Sequence, residues 1–294
     1  MRIAQYLDET TWRVGLIEND ELVEIGSEAG IPATTIELLH SGAEGLDAAR
    51  SAARRARRRP LASVRLGPPV MPRKFLGLGF CYQSHAREME RRGMTVPVHQ
   101  NWFNKQVTAV NGPYDPIHRP YVSDCLDYEG ELAFVIGKRG RHIGARDAMN
   151  HVAGFMICND LSVRDWQRRS PTATLGKSFD THAPIGPWIT TVDEMPDPTS
   201  LSIRTWVDGE LRQDGNTAEM VWSFAEMIEE LSTVCTLEPG DVITTGTPAG
   251  VGQGFDPPRF LQEGQRVRVE ISGLGHIENL VIPEPLPASA VDRD

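Results

Sequence analysis

The run Leu126-Asp127-Tyr128-Glu129-Gly130-Glu131-Leu132-Ala133-Phe134-Val135-Ile136 sets the strongest limit on what this chain can fold into. Its second half is apolar and rich in strand formers, and two glutamates at a spacing of two lead directly into it. In a strand the side-chain period is two, so Glu129 and Glu131 point to one face and Gly130 leaves the backbone between them uncovered. Two like charges on one face repel. A solvated sheet face relieves that repulsion, and so does a hard divalent cation held by oxygen ligands. A third carboxylate, Asp160, closes another apolar run, Met156-Ile157-Cys158-Asn159-Asp160. Glu129, Glu131 and Asp160 at strand ends supply half of an octahedral shell and leave the rest to water and substrate.

The remainder of the chain favours a folded enzyme-sized protein. Its 294 residues, 40% hydrophobic and 24% charged, suffice for one large domain with a smaller attachment. A net charge of −10 argues against general nucleic-acid binding, which needs a positive footprint. No apolar run reaches the roughly 18 to 20 residues that span a bilayer, and the opening Met1-Arg2-Ile3-Ala4-Gln5 lacks a signal-peptide pattern. Cys81, Cys125, Cys158 and Cys235 are scattered and form no Cys-x-x-Cys pair, which suits free thiols in a cytoplasmic protein.

Taken in order, residues 2–27 read as a small β meander and residues 35–59 as a helix whose arginine run, Arg54 to Arg59, is a solvated face stopped by Pro60. These form a small N-terminal α+β domain, residues 1–70, closed by a Gly-Pro-rich linker at 67–72. The main domain is expected over 71–285 and a flexible tail over 286–294. Within the main domain, Lys74 to Gly79 predicts a buried strand and Phe80 to Glu88 a short helix. On that helix His85 and Glu88 are three apart and share a face, so the carboxylate can fix the imidazole tautomer. Residues 93–101 suit a mobile lid. Val207-Asp208-Gly209-Glu210 predicts a hairpin, Phe224 to Leu231 a helix, and residues 267–271 and 275–279 the last strands. Many strands with few helices favour a β-rich roll over a doubly wound sheet.

Nucleotide motifs fail on inspection. Gly176-Lys177-Ser178 imitates the end of a P-loop, but the required first glycine is Pro171; Gly77-Leu78-Gly79 lacks the third glycine of a dinucleotide fingerprint, since Tyr82 stands there. Gly246-Thr247-Pro248-Ala249-Gly250 serves equally as a tight turn or as a carboxylate cradle.

Five motifs do occur together and in order: Tyr82-x-x-His85-x-x-Glu88; Asp127-Tyr128-Glu129-Gly130-Glu131-Leu132; Asn159-Asp160-Leu161-Ser162-Val163-Arg164-Asp165-x-Gln167; Gly176-Lys177-Ser178-Phe179-Asp180; and Pro239-Gly240-Asp241 running into Thr245-Gly246-Thr247-Pro248-x-Gly250. This pattern resembles the fumarylacetoacetate hydrolase superfamily, over roughly 74–282. The resemblance implies a mixed β-sandwich roll, a homodimer, and Mg²⁺ or Mn²⁺, with Ca²⁺ as a third candidate. It also implies that Glu129, Glu131 and Asp160 are the metal ligands, that His85 and Glu88 form the water-activating dyad on a lid helix, and that Lys177 contacts substrate oxygens. Arg164 and Gln167 would orient substrate, and Thr247 would bind its carboxylate. The chain departs from the family pattern at Cys81, where an asparagine is usual, and in the approach to Phe103-Asn104-Lys105.

The expected substrate is a small 2-oxo or dicarbonyl acid, and the leading reaction is hydrolytic C–C cleavage of a 2,4-dioxo acid through an enolate stabilised by the cation. The same charge sink serves isomerases and decarboxylases of the 2-hydroxyhepta-2,4-diene-1,7-dioate type and oxaloacetate decarboxylases or tautomerases. A non-catalytic, metal-stabilised binding protein is the remaining reading, against which the lid pair speaks, because a structural site needs no base.

Overall fold

The computed structural model describes residues 1–195 and 197–285. The architecture is strand-rich α+β, as the sequence predicts. Glu129 immediately precedes the strand Gly130–Ile136, which is buried along its whole length, and this strand lies near the middle of a twelve-stranded mixed sheet. Its antiparallel neighbours are Val152–Asn159 on one side and Val242–Thr244 on the other. Beyond Val242–Thr244 the sheet continues in parallel to Phe75–Gly79 and ends at the edge strand Asn101–Lys105. A five-stranded sheet, from Glu210–Asn216 to Ile117–Arg119, packs against the large one through Ile203, Val269, Ile271 and Ile277, which share a core with Leu132, Phe134 and Phe155. This apolar slab fixes the position of the carboxylates: register pairs Gly130 with Asn159, so Glu129 and Asp160 emerge together at one end of the two central strands.

Gly130 differs from its expected role. A Cβ there would lie 2.3 Å from the Thr205 hydroxyl, so the backbone between the glutamates is covered by the second sheet and only glycine fits.

The N-terminal strands extend the large sheet, since Arg2–Asp8 pairs with Ala183–Thr191. The meander forms as expected, but the single helix over 35–59 does not. Two helices appear instead, Thr35–His40 and Gly42–Ala53, broken at Gly42 with φ +60°. The arginine run then turns into the strand Arg58–Pro60, paired with Glu21–Val23. The reason is electrostatic and long-range: Arg58 meets Glu18 and Glu21, Arg59 meets Glu24, and Arg55 meets Glu28. Pro60 stands on an edge strand, where its missing N–H costs nothing.

Other expectations hold with small shifts. The helix after Phe75–Gly79 spans Gln83–Arg91, starting late because Phe80 has φ +61° and Tyr82 is extended. The Asp208-Gly209 hairpin joins Val207 to Glu210 with both turn residues at positive φ. The helix near 224–231 runs over Phe224–Val234. The last strand reaches Pro283 because it pairs in parallel with Ile117–Arg119. Residues 286–294, expected to be a flexible tail, lie outside the described residues. The four cysteines are free.

Candidate active site

Oxygens from Glu129, Glu131 and Asp160 converge within 4.8 Å of one another, and all three side chains are buried. The two central strands and the turn after Asn159 put them there. The turn is held by the Asp160 N–H on the Glu129 carbonyl at 2.8 Å, and by the Glu129 N–H on the Asn159 side chain at 3.1 Å.

Three buried cations surround these carboxylates. Lys177 Nζ donates to Glu129 Oε2 at 2.6 Å and to Asp160 Oδ2 at 2.5 Å. Lys105 Nζ donates to Asp160 Oδ1 at 2.6 Å and to the Leu161 carbonyl at 3.1 Å. Arg164 donates from Nη2 to Glu129 Oε1 at 2.7 Å, from Nε to Asp127 Oδ2 at 2.8 Å and from Nη1 to Gln167 Oε1 at 3.0 Å. Burial opposes ionisation of Glu129, but Arg164 and Lys177 outweigh it and hold this carboxyl well below the usual range. Burial likewise disfavours charge on Lys177 and Arg164, and their carboxylate partners outweigh it in the other direction, so both stay charged.

Glu131 is the exception. Its Oε2 accepts the Gly246 N–H at 2.9 Å, and among the described residues no cationic side chain bonds to it. Burial, then the charges of Asp160 and Glu129, push its carboxyl well above the normal range. Counting Asp127, the cluster holds four carboxylates against three cations and lacks one positive charge at Glu131. An all-oxygen donor set, three carboxylates deep and short of positive charge, fits a hard divalent cation such as Mg²⁺ or Mn²⁺. Glu129, Glu131 and Asp160 would hold it.

Above the carboxylates lies a cleft of about 220 Å³. Its lining includes His85, Met89, Trp102, Phe103, Arg164 and Gln167, together with Lys177 and Thr247. The lid helix Gln83–Arg91 contributes His85, whose Nδ1 lies 3.1 Å from Glu88 Oε2. A carboxylate accepts from an N–H, so this contact selects the Nδ1–H tautomer and leaves Nε2 as the basic atom. The other oxygen of Glu88 accepts the Gly250 N–H at 3.0 Å, which fastens the lid to the glycine-rich loop.

The structure brings all nine residues singled out in the sequence to one site: His85, Glu129, Glu131, Arg164, Gln167, Lys177 and Thr247 line the cleft, Asp160 lies against the two glutamates, and Glu88 backs His85, with the Thr247 hydroxyl engaged elsewhere. Thr247 Oγ1 donates to the Gly130 carbonyl at 2.9 Å and accepts from Gln213 Nε2 at 2.7 Å. Three further residues were not singled out: Lys105, Asp127 and Gln213. Lys105 carried a signal, since it shares a strand face with the cleft residue Phe103. Asp127 stands inside the acidic motif itself. Gln213, which also accepts the Gly130 N–H at 3.0 Å, carried none. Cys81, the departure from the family pattern, is buried beside Gly246 with its thiol pushed up to about 12 by burial.

A strand-rich roll with an acid-lined cleft, a buried lysine and a His–Glu pair on its wall has the make-up of an enzyme pocket. The chain belongs to the fumarylacetoacetate hydrolase family: residues 74–282 match the family described as fumarylacetoacetate (FAA) hydrolase C-terminal. Among curated relatives, the mitochondrial oxaloacetate tautomerase FAHD2B of Bos taurus is 44% identical over 259 residues, covering 87% of this chain and 82% of that protein. Among solved structures, maleylpyruvate hydrolase from Sphingobium sp. SYK-6, in complex with manganese(II) and pyruvate, is 32% identical with a TM-score of 0.82 over 97% of this chain and 100% of that one. The 2-hydroxyhepta-2,4-diene-1,7-dioate isomerase of Mycobacterium marinum is 30% identical with a TM-score of 0.76 at the same coverage. No helix among the described residues is long and apolar enough to cross a membrane.

Proposed function

We propose that this protein is a divalent-metal-dependent enzyme that interconverts the keto and enol forms of a small 2-oxo acid of the oxaloacetate type, working as a homodimer in the cytoplasm. The observation that carries the reading is the convergence of three buried carboxylates, one short of positive charge, beneath a histidine whose tautomer is fixed by Glu88. The identity to an oxaloacetate tautomerase over most of both chains supports the choice among reactions.

A divalent cation, when bound, polarises the oxo group and makes the adjacent carbon more acidic. His85 Nε2 removes the proton from that carbon, and the electron pair moves onto the oxo oxygen, where a proton returned to oxygen completes the enol. Glu88 keeps His85 in the tautomer that can accept, and stabilises the imidazolium that results. Lys177 has three N–H donors and spends two on Glu129 and Asp160, so the third is free for the developing oxyanion. Arg164 and Gln167 hold each other at the cleft wall and orient the substrate carboxylate. Thr247 acts chiefly by fixing Gly130 between the two glutamates.

The test follows the ultraviolet absorbance of enol-oxaloacetate as it ketonises. Magnesium or manganese should accelerate the decay, a chelator should abolish the acceleration, and His85→Ala should reduce it by roughly 10²- to 10⁴-fold. A rate equal to that of buffer with metal present would sink the tautomerase reading.

The second reading is hydrolytic C–C cleavage of a 2,4-dioxo acid, favoured by the similarity to a maleylpyruvate hydrolase bound to manganese(II) and pyruvate. There His85 would deprotonate water for attack on the distal carbonyl. Release of pyruvate from acylpyruvates, detected by mass spectrometry, decides for it. Metal binding without turnover of either class would leave only a binding protein.

A further inference from the structure

The glycine-rich loop over 250–254 touches two carboxylates on opposite sides. Toward the lid, the Gly250 N–H donates to Glu88 Oε1 at 3.0 Å. Toward the carboxylate cluster, the Gly252 N–H donates to Asp127 Oδ1 at 2.6 Å and the Gln253 N–H to Asp127 Oδ2 at 3.0 Å. Asp127 is fully buried, and the same Oδ2 accepts from Arg164 Nε, whose guanidinium continues to Glu129. One unbroken path thus runs from His85 through Glu88, the loop, Asp127 and Arg164 to Glu129. At Gly252 only glycine fits, since a Cβ would lie 2.5 Å from both the Arg259 carbonyl and Asp127 Oδ1; on Gly254 a Cβ would lie 2.2 Å from Glu88 Oε1 and push that carboxylate aside. The residues flanking this loop make two further bonds to the lid region, Ala249 N–H to Ser84 Oγ at 3.3 Å and Arg92 Nη1, just past the lid helix, to the Phe255 carbonyl at 3.1 Å.

We propose that Asp127 is a positioning residue that couples the lid to the cation site: by fixing the 250–254 loop and Arg164 together, it holds His85 and Glu129 in one register, so that filling the site and seating the lid favour each other. Asp127 touches neither the substrate cleft nor the reacting atoms; it is absent from the cleft lining and acts through its partners. Its carboxylate is the only group that can serve here, because it accepts from four N–H donors at once: Arg164, Gly252, Gln253 and its neighbour Tyr128. An asparagine in the same volume would direct an NH₂ at one of those donors. Coupling of this kind is reciprocal, so a change at the lid must be felt at the cation site by the same factor.

The inference rests on the metal-dependent reading above, and its test separates the two. Magnesium affinity of the full chain is measured by calorimetry, and hydrogen exchange of the amides in Gln83–Arg91 is measured with and without magnesium. In the wild type, magnesium should slow lid exchange by about 5- to 150-fold, the usual range of such couplings. In Asp127→Asn, magnesium should still bind, with affinity lowered about tenfold, and should no longer slow lid exchange. Exchange in Val152–Asn159 should stay unchanged in that variant, which a merely structural role would not permit. Glu88→Ala breaks the path at the lid without touching Arg164 and serves if Asp127→Asn fails to fold; it should weaken magnesium binding. Unchanged magnesium affinity in Glu88→Ala, or normal magnesium-induced protection in Asp127→Asn, overturns the coupling and leaves the metal reading standing. If the wild type binds no magnesium, both fall together.

Discussion

Two groups of opposite charges among the described residues differ in almost every respect but composition. One lies at the surface of the N-terminal region, where Arg55, Arg58 and Arg59 meet Glu18, Glu21, Glu28 and the largely buried Glu24. The other lies at the end of the central strands, where Lys105, Arg164 and Lys177 meet Asp127, Glu129 and Asp160, all at most 5% exposed. Exposed pairs are screened by water and salt and contribute about 0 to 1 kcal/mol each. Buried pairs cost much to assemble, and breaking one strands a charge at about 3 to 5 kcal/mol. A fold does not accept that liability for stability alone; a replacement of similar shape and no charge would serve as well. The contrast sets a group whose burial is costly, and which the proposed chemistry would use, against one that water screens.

The largest effect should come from Asp160→Ala. It removes the acceptor shared by Lys105 and Lys177, leaving two ammonium groups buried with too few partners. Unfolding in urea should show a loss of about 3 to 5 kcal/mol, and turnover should vanish with it. A loss below about 1 kcal/mol would place this cluster in the same energetic class as the surface one.

Next comes Glu131→Gln, which tests the missing charge. Wild-type protein at a magnesium concentration 100 times the dissociation constant should gain about 2.7 kcal/mol of stability. The glutamine variant should gain little, and in chelator it should melt above the wild type, because it removes the carboxyl that Asp160 and Glu129 repel. A variant that melts lower than wild type in chelator would show that Glu131 carries no electrostatic burden.

Burial without charge gives a third case. His182 is fully buried, its Nε2–H donates to the His118 carbonyl at 2.8 Å, and burial lowers its pKa to about 3. The unfolded chain therefore binds a proton below about pH 6.5 that the folded chain refuses. Its contribution is complete above pH 6.5 and is lost as pH falls toward 3, with a slope of up to about 1.4 kcal/mol per pH unit. Stability of His182→Asn against pH should lack that slope; an unchanged slope would assign the acid sensitivity elsewhere.

The two clusters were also unequally legible in the sequence. The acidic half of the buried one could be read directly, because Glu129 and Glu131 stand at strand spacing and Asp160 ends a neighbouring apolar run. Its basic half was legible in part: Lys177 and Arg164 fall inside the family motifs, whereas Lys105 is marked only by its strand spacing from Phe103 and reaches Asp160 across 55 residues of chain. Asp127 was in plain view, yet its role depends on N–H groups 125 and 126 residues away. The surface cluster misled for the same reason. Arginine and alanine favour helix by local propensity, and the glutamates that draw Arg58 and Arg59 into a strand lie on other strands or, for Glu24, just past the end of one. Periodicity reports what a residue's neighbours in sequence do; partners brought together by the sheet order are beyond its reach.

The smallest effect is the one that would most damage the comparison if it proved large. Arg58 bonds Glu18 at 2.6 Å and Glu21 at 3.3 Å, and the first of these is as short as the Lys105–Asp160 pair of the buried cluster. If distance governed strength, Arg58→Ala would be as harmful as Asp160→Ala. The side chains are 38% and 43 to 49% exposed, however, so water replaces every lost bond and the freed glutamates remain hydrated. The melting temperature should fall by no more than about 2 °C, the difference should shrink further at about 1 M salt, where screening acts over roughly 3 Å, and the proposed turnover should be unchanged. A salt-insensitive fall of about 10 °C would mean that the cross-strand pair holds Arg58–Pro60 in the sheet, and that exposure is the wrong axis on which to divide the two clusters.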